Sequence, residues 1–191
     1  MVTSDEAAVK QVLGGDQDAF RVLVERHSRQ VFSVAFRITG NEPDAEEVVQ
    51  ETFLRAYKRL ESFQFNSAFS TWLQSIAANC SFTLVEQRGR HQKGRVEPKD
   101  DEDDKPMEFP SGSPSPEQLV LSGEVRGKVA EALQTLTTAE RTAFVMRHFE
   151  GNSIEEISTV LGIATTAAKN CVYRAVQKMR FALEPLARPT R

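Results

Sequence analysis

Thr165, Thr166, Lys169, Asn170, Tyr173 and Arg174 fall on one side of a basic stretch, TTAAKNCVYRAVQKMRFAL. At helical spacing these six side chains project together. Their chemistry is that of duplex readout: amide and cation donors for base edges, hydroxyls and cations for phosphates. An ordinary solvated basic helix presents similar groups. What favours DNA is that the basic stripe, a preceding tight turn and the spacing all agree.

The elements that must position these groups are well punctuated. Thr137 with Glu140 spells a capping box ahead of TAERTAFVMRHF, and Gly151 stops that helix. Ser153 with Glu156 spells a second box for IEEISTVL, stopped by Gly162. Ile163 and Ala164 make a tight turn, and Thr165 or Thr166 caps the basic helix. Short helix, glycine turn and basic helix make a helix-turn-helix. Its expected buried side is Ile157, Leu161, Ile163, Ala168, Val172, Ala175 and Met179. A further helix from about 116 to 133 precedes the pair.

Net charge is −3, but it is unevenly spread. Residues 96–123 hold eight acidic and two basic side chains, whereas 124–191 hold seven and ten. No acid stands between Glu156 and Glu184. The acidic balance of the whole chain therefore does not argue against DNA binding.

A second stretch, Asp44 to Asn79, organises the first half. Apolar or small residues at Ala45, Val48, Val49, Thr52, Phe53, Ala56, Tyr57 and Leu60 give a buried helical stripe. Pro43 suits a first turn; Asp44, Glu46 and Glu47 suit the positive end of the helix dipole, and Arg55, Lys58 and Arg59 the other. Leu54 lies off this stripe, among Glu47, Gln50 and Glu51. It is either a stray exposed leucine or a knob, ringed by acids, that docks a partner. The polar loop SFQFNSAF follows, with aromatics at Phe63, Phe65, Phe69 and Trp72. No Lys or Arg occurs from Leu60 through Gln87.

Around these lie short and long helices. Residues 4–13 read as a helix capped by Ser4, with Val9, Val12 and Leu13 inward and Gly14-Gly15 at its end. Asp16 opens a long helix with an apolar stripe of Ala19, Phe20, Leu23, Val24, Val31, Val34, Ala35 and Ile38, closed by Gly40. His27 continues that stripe as a core-edge residue. Another helix spans about 70–87. The acid run Asp100–Asp104 and the Pro/Ser/Gly-rich segment after it forbid a packed core. They read as a solvated tether or as a nucleic-acid mimic. The fold expected is all-α: two small helical domains, 1–90 and 117–191, joined by a flexible acidic linker, 91–116.

Enzymatic chemistry finds no support. The chain lacks a nucleophile elbow, a Walker loop, a zinc-protease helix and a dinucleotide glycine set. His27, His91 and His148 are scattered, so no metal or cofactor is expected. Cys80 and Cys171 lie far apart, as buried thiols of a reducing cytoplasm do. No run is apolar enough for a membrane span, and MVTSDEAAVK is not a signal peptide.

Taken together, DQDAFRVLVERH, GNEPDAEEVVQETFLRAYKRLESF, SAFSTWLQSIAAN and LTTAERTAFVMRHFEGNSIEEISTVLGI…AAKN…YRA resemble a bacterial RNA polymerase sigma factor of the extracytoplasmic-function subclass. The resemblance covers about 16–90 and 117–183. It implies a cytoplasmic transcription-initiation factor, not itself an enzyme. Its implied partners are core RNA polymerase, promoter DNA and an anti-sigma factor. Asp44, Glu47, Gln50, Glu51 and Leu54 match the surface that docks on polymerase. Phe63, Phe65, Ala68, Trp72 and Asn79 match the region that captures an unstacked base of the minus-ten element. Arg147, Lys169, Asn170, Tyr173 and Arg174, with Thr165 and Thr166, match contacts to the minus-thirty-five element. The linker matches the segment that threads into polymerase, which favours the mimic reading of its acids.

Three departures bear on promoter choice. The helix after SAFSTWL lacks the family's usual cations, so fewer phosphate contacts and weaker melting are expected. Cys171 stands where the family usually has arginine, and Ala168 where it has valine. The other readings are a helix-turn-helix regulator whose first domain binds a non-polymerase partner, and a helical adaptor with no DNA role.

Overall fold

A computed structural model describes residues 4–93 and 123–187, and every regular element among them is helical. The linker expected at 91–116 falls almost wholly outside the described residues, as do the first six residues of the second expected domain. The acid run Asp100–Asp104, with its tether and mimic readings, lies outside the described residues.

The first group comprises α1 (Asp5–Leu13), α2 (Asp18–Thr39), α3 (Glu42–Lys58), a 3-10 turn (Leu60–Ser62) and α4 (Phe69–Lys93). Ser4 caps α1 as expected, its hydroxyl accepting from the Ala7 amide at 3.2 Å. Gln17 rather than Asp16 precedes α2; Asp16 instead accepts from the Asp18 amide at 3.1 Å. Asn41 caps α3 by accepting from the Asp44 amide at 3.0 Å. Leu23, Val31, Val34 and Ile38 of α2, Val48, Phe53 and Ala56 of α3, and Leu73 and Ala77 of α4 form the core. Of the expected inward residues, Val12, Phe20, Val24 and Val49 are half-buried and two are exposed. Leu13, the last residue of α1, is 44% exposed, and Tyr57 is 40% exposed. Tyr57 packs on Phe20 in a T-shaped pair, with 5.0 Å between centroids.

The second group comprises α5 (Gly123–Gln134), α6 (Thr138–His148), α7 (Ile154–Leu161) and α8 (Thr165–Ala187). Both capping boxes form, with the Glu140 and Glu156 carboxylates accepting from the Thr137 and Ser153 amides at 3.0 and 2.7 Å. Gly162 ends α7 with φ 67°, a left-handed conformation that a side chain would strain. The expected buried side holds at Ile157, Leu161, Ala168, Val172, Ala175 and Met179. Ile163 departs from it. It follows the left-handed glycine in the turn, where helical periodicity no longer sets direction, and is 37% exposed. α8 starts at Thr165, so both threonines lie inside its first turn rather than ahead of it.

α2 and α4 of the first group touch α5, α6 and α7 of the second. Gly40, with φ 81°, closes α2 at this seam, and a Cβ on it would stand 2.5 Å from the Gln134 side chain. Arg37 stacks on Phe149, its guanidinium carbon 4.3 Å from the ring centroid, and lies 3.5 Å from the Glu150 carboxylate. Asn152, which is buried, donates to the Ser75 hydroxyl of α4 at 3.3 Å.

Candidate polymerase and nucleic-acid interfaces

The first candidate surface is a groove along the α3–α4 seam. Glu47, Gln50, Glu51 and Leu54 line it from α3, and Cys80, Thr83, Leu84 and Gln87 from α4. Leu54 is 48% exposed, so four of the five residues expected to dock on a partner share one surface. An apolar knob ringed by carboxylates suits a partner helix bearing cations around an apolar pocket. Asp44 stands apart. It is 5% exposed and paired with Arg88 of α4, whose other amino group bonds Glu47 at 2.8 Å. Arg88 lies just beyond the end expected for this helix, at about 87. The helix instead runs on to Lys93, and that extension is what carries Arg88 over the start of α3.

Cys80 sits at the floor of this groove, 4% exposed. Burial pushes its thiol above the ordinary cysteine value, with Arg55 pulling the other way. The thiol is thus held protonated and weakly nucleophilic.

The second surface is an aromatic cluster at the start of α4. Phe63 is its hub, with ring centroids 4.8 Å from Phe65, 5.2 Å from Trp72 and 5.7 Å from Phe69. Phe63 and Phe69 are buried, whereas Phe65 is exposed and Trp72 half-buried. Phe65 adopts φ 58°, strained for a residue with a bulky side chain. Ala68 is exposed at the foot of α4, where its carbonyl accepts from the Trp72 amide at 3.2 Å. Base faces stack on rings of this kind. Asn79 is not in this cluster. It lies seven residues beyond Trp72, about 10 Å along the helix, where its side-chain oxygen accepts from Arg55 at 3.5 Å.

The third surface is the outer face of α8. Thr166, Lys169, Tyr173 and Arg174 are exposed, and Thr165 and Asn170 are half-buried beside them. Two contacts fix this helix against α6. Lys178 donates to both Glu140 oxygens at 2.8 and 3.0 Å, and Arg174 lies 3.9 Å from the same carboxylate. Burial pushes the Glu140 carboxyl up. Lys178 and the hydrogen bonds from Thr137 outweigh that, holding it below the ordinary carboxylate value. Arg147 is exposed on α6 but already donates to the Asn152 carbonyl at 3.0 Å. Cys171 is 7% exposed on the inner side of α8. As folded, that position faces the core rather than the surface that Lys169 and Tyr173 share. Among the described residues no cluster of three His, Cys, Asp or Glu could hold a metal.

The Sigma-70 region 2 family matches residues 23–91, and the Sigma-70 region 4 family matches residues 126–179. The RNA polymerase sigma-H factor of Pseudomonas aeruginosa is 33% identical over 190 residues, covering 96% of both chains. The ECF RNA polymerase sigma-E factor of Escherichia coli K12 is 35% identical over 193 residues, covering 97% of both. Among solved structures, CnrH in complex with the cytosolic domain of CnrY is 26% identical, with a TM-score of 0.58 over 95% of this chain and 97% of that one. The sigma factor RpoE of Bartonella quintana, solved with the anti-sigma factor NepR, shares the fold with the same TM-score at 22% identity, over 86% of this chain and 96% of that one. This chain belongs to the extracytoplasmic-function sigma factors of the Sigma-70 family.

Proposed function

We propose that the chain docks on core RNA polymerase through the α3–α4 groove, places it at promoters through α8, and opens the minus-ten element at the aromatic cluster. The observation that carries the reading is the co-location of Leu54 with Glu47, Gln50 and Glu51 on one open groove. The same chain holds a basic helix-turn-helix. A regulator with some other partner is not favoured, since both halves match sigma regions.

The mechanism follows from the placement of side chains. Lys169, Arg174 and Tyr173 hold α8 against phosphates, and Asn170 with the paired threonines reads base edges in the major groove. Polymerase bound at the groove then brings the minus-ten DNA to the first domain. A base pulled from its stack lies against Phe65 and Trp72, with Phe63 as backing and Ala68 leaving room at the rim. Asn79, two turns up α4, reads a neighbouring position on the same strand. Asp44 acts indirectly, anchoring the end of α4 through Arg88. The reading assigns no bond-making step to this chain; the catalysis is the polymerase's.

On this reading the domains are 1–90 and 117–191, joined by the linker 91–116, with α4 running three residues into the linker. Among the described residues no helix is long and apolar enough to cross a membrane, and the polymerase partner puts the chain in the cytoplasm. An anti-sigma factor is assigned as a further partner. Support for it is family membership and the CnrH structure, solved with a partner's cytosolic domain.

The test is co-purification with core polymerase. Wild-type protein is expected to co-elute stably, and Leu54→Asp to lose that association while keeping its melting temperature and its affinity for duplex DNA. Equal retention of the variant would point to a different docking surface.

A further inference from the structure

The aromatic cluster has a charge problem. Single-stranded DNA binding pairs stacking rings with cations that follow the backbone. Yet the whole segment that builds the cluster, Leu60 to Gln87, carries no Lys or Arg. The fold supplies a cation from elsewhere. Lys10 of α1 stands over the Phe65 ring, its ammonium 5.7 Å from the centroid.

This placement is built rather than incidental. Ala8 and Val9 are fully buried, so α1 is packed into the domain. Asp5 pairs with Arg26 and lies 2.8 Å from the His27 ring nitrogen. His27 in turn packs its ring on Phe69, 5.5 Å between centroids. The same contacts that hold α1 therefore lead into the cluster. The strained left-handed conformation of Phe65 belongs to the loop that brings its ring beside Phe63 and under Lys10. Lys10 itself remains open: its side chain is 63% exposed, and among the described residues its ammonium bonds Glu6, at 2.6 Å. An exposed pair one helical turn apart contributes little stability, so a phosphate competes with Glu6 at small cost.

We propose that Lys10 binds a backbone phosphate of the melted minus-ten strand, beside the base held on Phe65 and Trp72. This rests on the sigma-factor reading above. It gives DNA binding to a helix that lies outside the region 2 match, which begins at residue 23. Glu6 works against the contact by holding Lys10 in its absence and by repelling the incoming phosphate.

The experiment uses full-length protein with core polymerase on a fork-junction template whose minus-ten strand is single-stranded, taken from a promoter that gives run-off product. Binding is followed across a salt series. Lys10→Ala is expected to lower the slope of log affinity against log salt by about 0.7, the value for one phosphate on a single strand. Lys10→Arg should restore that slope, and Glu6→Gln should raise affinity at low salt. Melting temperatures of the free variants should match wild type, because Lys10 is exposed. An unchanged slope in Lys10→Ala, with wild type still opening the promoter, overturns the proposal and leaves the sigma-factor reading standing. Wild type that opens no promoter overturns both.

Discussion

Arg141 of α6 donates through Nη1 to the carbonyl oxygen of Ile38 on α2, at 2.9 Å. That bond joins the first group of helices to the second, beside the Asn152–Ser75 hydrogen bond and the Arg37–Glu150 ion pair. The rest of the guanidinium is spent nearby: Nε on Leu133 O at 2.8 Å, and Nη2 on Leu136 O at 3.2 Å and Gln134 O at 3.3 Å. Arg141 is only 8% exposed, and burial pulls its guanidinium below the ordinary value. Among the described residues no carboxylate bonds it, and backbone carbonyls at a helix end carry its charge, as the negative end of a helix dipole does. Replacing it by alanine strands several carbonyls. A cost of about 3 kcal/mol is expected, from the usual cost of unpaired buried groups. Arg141→Lys should recover little, because one ammonium cannot span the fork. Thermal unfolding of both variants checks this; a near-wild-type melting temperature for Arg141→Ala would contradict it.

Glu140 gives a pH dependence with a definite sign. Its carboxyl is held below the ordinary value in the folded chain. The unfolded chain therefore binds its proton more readily, and the group adds stability above the ordinary carboxylate value. That contribution is lost as pH falls through the folded value. Glu140→Gln should flatten this part of the stability curve between about pH 5 and the acid limit, where paired carboxylates titrate. Denaturant midpoints measured across that range test it. Because Glu140 also anchors Lys178 and lies near Arg174, the variant should loosen α8 and weaken duplex binding at neutral pH.

On the DNA face, Lys169→Ala should weaken binding to all duplexes alike. The salt slope should fall by about one, as for a single phosphate contact. Asn170→Ala should cost about 1–3 kcal/mol on the cognate element, with little change on random DNA, as for a lost base contact. Competition binding with cognate and scrambled duplexes separates the two. A uniform loss for Asn170→Ala would move it from base reading to backbone positioning.

At the cluster, Trp72→Ala and Phe65→Ala should both lower open-complex yield, each by about 1–3 kcal/mol for a lost stacking surface. They should differ in stability. Trp72 is half-buried against Phe63 and Phe69, so its truncation will also destabilise the fold, whereas Phe65 is exposed and its alanine variant keeps the same left-handed φ, leaving stability nearly unchanged. Permanganate reactivity of the minus-ten thymines, beside a melting curve, reads both effects.

Much of this architecture was legible because local signals agreed with the final packing. Both capping boxes, the glycine stops at 40 and 162, and the stripe on α2 form as their spacing implies. Leu54 also sits where its position off the α3 stripe put it. What was not legible depends on contacts between distant segments. Nothing local marks Arg88 as the partner of Asp44, 44 residues away, nor Arg141 as the partner of Ile38, 103 residues away. Lys10 over Phe65 is of the same kind. Ile163 was misplaced because helical periodicity was carried through a left-handed turn. Asn79 was grouped with the aromatics by resemblance, yet two turns of α4 separate it from them.

Run-off transcription tests the central claim most directly. Purified protein is added to bacterial core polymerase on a genomic promoter library, beside the Asn79→Ala variant. Discrete new transcripts from wild type, fading or shifting in promoter preference with the variant, are the predicted result. No transcripts, with duplex binding intact, would contradict the account.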